Sequence, residues 1–163
     1  MIEKGFKSLT TPWTDESTAD IYYIQAKEIA IMDVNRKGVR GLIKVIDDLQ
    51  DQGYYTFPAF DDHSPIDLVA ISPLGEIFRL QIKYREMNPK KKNRYEFATS
   101  SVVNGKRVEM DRKMIDGWAV YLKEHNTVVY VSKDEMGSQK YFSIDPNNKK
   151  YGQMAEWSNA PIY

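Results

Sequence analysis

An aspartate, an amide and a lysine stand at strand spacing in one short stretch of the chain. It runs Pro65-Ile66-Asp67-Leu68-Val69-Ala70-Ile71, then Ser72-Pro73-Leu74-Gly75, then Glu76-Ile77-Phe78-Arg79-Leu80-Gln81-Ile82-Lys83-Tyr84. Two apolar, β-branched runs around a Pro/Gly turn make the pattern of an antiparallel hairpin. Side chains alternate along a strand, so Gln81 and Lys83 share one face while Leu80 and Ile82 take the other. A turn centred on Leu74-Gly75 sets Asp67 opposite Gln81 or Ile82. Burying an unpaired acid or ammonium in a sheet costs on the order of a few kcal/mol, so a chain that places both there gains a metal site or a reaction from them. The plainer alternative is a buried Asp67–Lys83 ion pair.

Composition narrows the chemistry. The chain has 163 residues, no cysteine and two histidines, His63 and His125, so disulfides, thiol nucleophiles and histidine-based zinc sites drop out. Any metal must be held by oxygen. Charged residues make up 28% and hydrophobic ones 42%, and no apolar run is long enough to cross a bilayer. With no basic-then-apolar leader for export, the expected location is cytoplasmic, without membrane contact. The formal net charge of zero hides a local excess. Lys90, Lys91, Lys92 and Arg94 follow the hairpin closely, with Lys83 and Arg85 just before them, a density of cations suited to a phosphate backbone.

Several elements must carry this stretch. Residues 1–13 lack periodicity and read as an arm. A helix is expected from about Asp15 to Val34, an interruption at Asn35-Arg36-Lys37-Gly38, and a second helix from Gly38 to a stop at Gly53. Val39, Leu42, Ile43, Val45, Ile46 and Leu49 give the second helix its apolar side. The aromatic run from Tyr54 to Phe60 reads as a strand. Tyr95 to Val103 and Lys106 to Met110 flank Asn104-Gly105, a strong hairpin signal, and this two-stranded ribbon suits either a DNA groove or a sheet edge. Asp111 to Asp116 reads as a polar helical turn. Trp118–Leu122 and Thr127–Ser132 read as paired core strands, Tyr141–Ile144 as an edge strand, and the remainder as a tail. The division is residues 1–36, arm and helix, and residues 37–163, one domain.

Asp67 followed by the triplet Gln81-Ile82-Lys83, with the run Lys37-Gly38-Val39-Arg40-Gly41 opening a helix before them, resembles the PD-(D/E)XK nuclease superfamily. Its homing endonucleases and the archaeal-type Holliday-junction resolvases are the nearest in pattern. The resemblance implies an α/β fold: a central mixed β-sheet flanked by helices, a restriction-endonuclease-like core with an extra β-hairpin. It also implies Mg²⁺-dependent hydrolysis of double-stranded DNA. Asp67, Gln81 and Lys83 would be catalytic, and Asp67, the Gln81 amide and the Ile82 carbonyl would hold the metal. Arg85, Lys90, Lys91, Lys92 and Arg94 would bind DNA, in a homodimer or homotetramer. A structure-selective resolvase and a silent DNA-binding module are the alternatives. In those relatives the first helix carries a glutamate shortly after the glycine, and here Leu42 stands at that position.

Overall fold

In the computed structural model the described residues are 16–60, 64–90, 94–103, 106–109, 112–137, 139–147 and 154. The chain divides into two compact units, Met1–Arg36 and Lys37–Tyr163. Within the first, Tyr23, Ile24, Ile29, Met32 and Val34 are exposed on a helix.

That helix, α1, is Glu16–Asp51 and is continuous, whereas the sequence suggests a break at Asn35–Gly38. The reason is that none of these residues is proline, so every N–H stays available to the i→i−4 ladder, and a helical glycine costs only about 1 kcal/mol. The helix does stop where glycine allows it to. Gly53 has φ +83°, its N–H reaches the Gln50 carbonyl, and the Tyr54 N–H reaches that of Leu49, both at 2.9 Å. This double closure is a Schellman motif.

The central sheet has five strands in the order β1-β2-β3-β7-β8. They are β1 Tyr55–Pro58, β2 Leu68–Ile71, β3 Ile77–Arg85, β7 Gly117–Leu122 and β8 Thr127–Ser132. The pair β3–β7 is parallel and the others antiparallel, so the sheet is mixed, as expected. Between β3 and β7 the chain builds β4 Tyr95–Ala98, β5 Ser100–Val103 and β6 Lys106–Glu109, then a 3-10 turn at Arg112–Met114. A short helix, α2, Lys133–Met136, leaves β8, capped by Ser132 and Glu135 reciprocally. It is followed by β9, Tyr141–Ile144.

The expected single strand from Tyr95 to Val103 is two. β4 pairs with β9, while β5 pairs only with β6 among the described strands. The chain changes partner at Thr99, which is buried. Its N–H donates to the Lys140 carbonyl at 3.1 Å, and its hydroxyl accepts from Arg112 Nη2 at 3.0 Å. Those bonds turn the strand away from its first partner.

The two faces of the sheet bury different things. On one, Val45 and Leu49 of α1 pack with Leu68, Ala70, Leu80, Tyr84, Ala119, Tyr121 and Tyr130, with Leu42, Ile46 and Ile82 at the margin. On the other, Tyr95, Phe97, Phe142 and Ile144 of the β4–β9 pair cover Trp118, Val120 and Leu122. Gly41 sets the approach of α1, because a Cβ there would lie 3.3 Å from Tyr84 Cβ and 3.6 Å from Ile82 Cγ2. The helix therefore crosses the sheet directly over the end of β3.

Glycine chemistry gives a test of this placement. Gly38 has open space around its absent Cβ, so Gly38→Ala should stabilise by about 0.5–1 kcal/mol through helix propensity. Gly41→Val should destabilise by about 1–3 kcal/mol by overpacking α1 against β3. Urea unfolding of both variants checks the signs, and a neutral Gly41→Val would place the crossing elsewhere.

Candidate active site

The register of the β2–β3 hairpin is Leu68↔Leu80 through Ile71↔Ile77. Carried one residue further, that register puts Asp67 opposite Gln81, and the Asp67 N–H reaches the Leu80 carbonyl at 2.9 Å. By alternation, Asp67, Gln81, Lys83 and Arg85 share one face of the sheet. Leu80 and Ile82 take the helix-covered face. The expected segregation is present.

The Asp67 carboxylate does not pair with Lys83. Its Oδ2 accepts the Ile82 N–H at 2.7 Å, and Lys83 forms no ion pair among the described residues. The buried ion-pair alternative is thereby set aside. Asp67 in effect substitutes its side chain for a ladder partner where β2 has ended. Burial pushes its carboxyl up from 3.8, against the opposing pull of the Ile82 N–H and the Lys83 charge.

The neighbouring carbonyl has a specific fate. Arg79 and Arg85 offer theirs to Asp116 and Lys123 on the β7 side, at 2.8 and 3.0 Å, and Leu80 offers its own to Asp67 on the β2 side. Alternation turns the Ile82 backbone toward β2 as well, where the register carried two residues further sets Ile66 opposite it. The Ile66 N–H is turned instead to the Ser64 hydroxyl at 3.1 Å. The Ile82 carbonyl thus faces the same side as its N–H, which the Asp67 carboxylate meets.

Gln81 is almost fully buried. Its Oε1 accepts the Trp118 Nε1–H at 3.1 Å, and Trp118 stands in register beside it on β7. One lone pair of the amide oxygen is thus committed, the side chain is held in a single orientation, and a second lone pair remains. Trp118 was not legible as a partner, because its contact with Gln81 depends on a parallel register between strands far apart in sequence.

Lys83 is half-buried. Desolvation pushes its ammonium down from 10.5 to about 8, the Arg85 charge adds to the shift, and Asp67 opposes it. Arg85 is also half-buried, and burial lowers its pKa. Its Nη1 donates to the Tyr84 carbonyl at 2.8 Å. A protein that keeps two cations side by side on a partly buried sheet face is prepared for an anion.

Asp67 with two neutral oxygens is a sparse donor set. Among the described residues no three acidic or histidine side chains gather as metal ligands. Leu42 lies on α1 next to Gly41, partly buried against the helix-side core. It packs with Leu80 and Ile82 on the helix-covered face, whereas Asp67, Gln81 and Lys83 take the other face, so the structure does not bring the expected Leu42 position to the site. The Asp67 carboxylate, the Ile82 carbonyl and the Gln81 amide oxygen still match the chemistry of a hard cation that keeps several of its own waters. Of the expected DNA-binding residues, Lys90 and Arg94 are exposed, and Lys91 and Lys92 lie outside the described residues.

A family model described as PD-(D/E)XK endonuclease matches residues 32–160, and the chain belongs to that family. Among solved structures it is similar to the bacterial homing endonuclease I-Ssp6803I, with a TM-score of 0.60 at 15% identity. The likeness covers 76% of this chain and 85% of that one, and it identifies the fold as a restriction-endonuclease-like core. No curated protein matches the chain. Among the described residues no helix is long and apolar enough to cross a membrane.

Lys83 has a testable energetic signature. Its folded pKa of about 8 lies below the ordinary 10.5, so at neutral pH the charged side chain opposes folding. As pH rises from about 8 to 10.5 the native protein has already released this proton and the unfolded chain has not, so stability is regained across that window. Lys83→Met should therefore stabilise at pH 7 by about 1–3 kcal/mol, with the gain shrinking toward pH 10. Asp67→Ala should cost about 1–3 kcal/mol by orphaning the Ile82 N–H. Denaturant melts at the two pH values decide, and a destabilised Lys83→Met would mean that Lys83 is structural.

Proposed function

We propose that this chain is a divalent-cation-dependent, site-specific endonuclease of double-stranded DNA, of the homing type. The observation that carries the reading is the convergence of Asp67, Gln81 and Lys83 on one face of β2 and β3 in a chain of the PD-(D/E)XK endonuclease family. Asp67, the Ile82 carbonyl and the Gln81 amide would hold the cation, with Mg²⁺ the natural choice for oxygen donors. When bound, such a cation neutralises phosphate charge and acidifies a coordinated water.

The chain's own residues have separable tasks. Lys83 provides a fixed positive charge beside the scissile phosphate, which counts for more in a partly desolvated site than in water. Arg85, on the same face, binds the adjoining phosphate. Trp118 keeps the Gln81 amide from rotating. Lys90, Lys91, Lys92 and Arg94 would hold the backbone of the duplex beyond the site, and the β5–β6 ribbon would supply a groove contact. One domain carries one site and a duplex has two strands, so a homodimer or homotetramer is the working form. Exposed Val39 and Ile43 on α1, and Tyr55 and Phe57 on β1, are apolar surfaces that an assembly would cover.

The single carboxylate of the site favours a second reading, a protein of this fold that binds DNA and cleaves it slowly; Leu42, packed with Leu80 and Ile82 on the helix-covered face, lies away from Asp67, Gln81 and Lys83. Cleavage itself separates the two. Asp67→Ala and Lys83→Ala should abolish cleavage while leaving DNA binding. The measurement is a time course of nicking and linearisation of supercoiled DNA at fixed salt. Undiminished nicking by Asp67→Ala would remove the proposed site.

A further inference from the structure

The segment joining β3 to β4 carries Lys90 and Arg94, yet its roots are held by acids, which repel DNA. Glu86 Oε1 accepts from Lys123 Nζ at 2.8 Å, and Glu86 Oε2 lies 3.5 Å from Lys37 Nζ. The Met87 N–H donates to Glu124 Oε2 at 2.9 Å. At the far end the Tyr95 hydroxyl is hydrogen-bonded to His125 Nδ1 at 2.7 Å, with the rings edge to face at 5.6 Å. Three consecutive residues of the β7–β8 turn, Lys123, Glu124 and His125, thus grip both ends of the segment. The Lys123 N–H bonds to the Arg85 carbonyl at 3.0 Å, anchoring that turn to the end of β3.

An acid beside a phosphate-binding segment weakens binding by Coulomb repulsion unless it does something else there. Glu124 is exposed, and its carboxylate accepts from the Met87 backbone amide at one root of the segment and from the Tyr95 hydroxyl at the other. We infer that Glu124, with the Tyr95–His125 link, is a positioning residue for DNA binding: it fixes the two ends of the β3–β4 segment, and with them Lys90 and Arg94, for contact with the phosphate backbone. This rests on the DNA-binding reading above and adds the β7–β8 turn to the binding apparatus.

The inference predicts an effect opposite in sign to simple electrostatics. Removing an acid from a DNA-binding surface should tighten binding, whereas Glu124→Ala should weaken it by about three- to tenfold and lower the salt slope by about one phosphate contact. Glu124→Gln removes the same charge but keeps an oxygen for the Met87 N–H, so it should bind as tightly as the parent protein or more so. The assay is fluorescence anisotropy of the full chain with a labelled mixed-sequence duplex, without divalent cation, across a salt series. Equal or tighter binding by Glu124→Ala overturns the inference, as does equal weakening by both variants. If Glu124→Ala lowers the unfolding midpoint, Tyr95→Phe carries the test, since it deletes only the hydroxyl at the other root and should show the same loss of slope. Salt-independent or absent binding by the parent protein would instead defeat the DNA-binding reading itself.

Discussion

The site depends on one hydrogen bond, from the Ile82 N–H to the Asp67 carboxylate. β2 ends beside β3 before β3 has finished, and a central strand with an unpaired edge is costly. Asp67 meets the amide with its side chain, and the Ile66 N–H opposite goes to Ser64 instead of to β3. The carboxylate is consequently held against the backbone of β3 by the same kind of bond that makes the sheet. The polar site is built from the place where regular pairing stops.

The rest of the structure keeps β3 usable on two faces. α1 closes one of them, brought near by Gly41, and buries Leu80, Ile82 and Tyr84. On the other, Trp118 fixes Gln81, and Lys83 and Arg85 stand half-buried on the same strand. The bidentate Arg79–Asp116 pair, with contacts of 2.9 and 3.1 Å, ties β3 to the residue before β7 and sets the parallel register. The strained element energetically is Lys83, whose burial is unfavourable for folding and favourable for meeting a phosphate. A core chosen only for stability would not retain it.

The hairpin, its turn and the shared face of Asp67, Gln81 and Lys83 were legible because strand alternation and turn chemistry are local. The stop of α1 at Gly53 was legible for the same reason. What was not legible depended on distant partners. Nothing local tells Asn35–Gly38 to continue as helix rather than break. Thr99 divides an apparently continuous strand only because Lys140 and Arg112 reach it from elsewhere. Trp118 reads as a core aromatic until the β3–β7 register sets its indole beside Gln81. The side-chain bond of Asp67 to the Ile82 N–H emerges only once β2 is seen to end at Leu68. Leu42 was conspicuous in the sequence, and its partly buried place beside Gly41 explains how a leucine is accommodated there.

The most direct test of this arrangement is anomalous diffraction from crystals of the protein with duplex DNA and Mn²⁺, which has the oxygen preference of Mg²⁺ and a measurable signal. The expected result is a peak bonded to Asp67 and the Ile82 carbonyl, absent from Asp67→Ala crystals grown in the same way. A peak bonded to other residues, or one that persists in Asp67→Ala, would contradict the placement of the site at the end of β2.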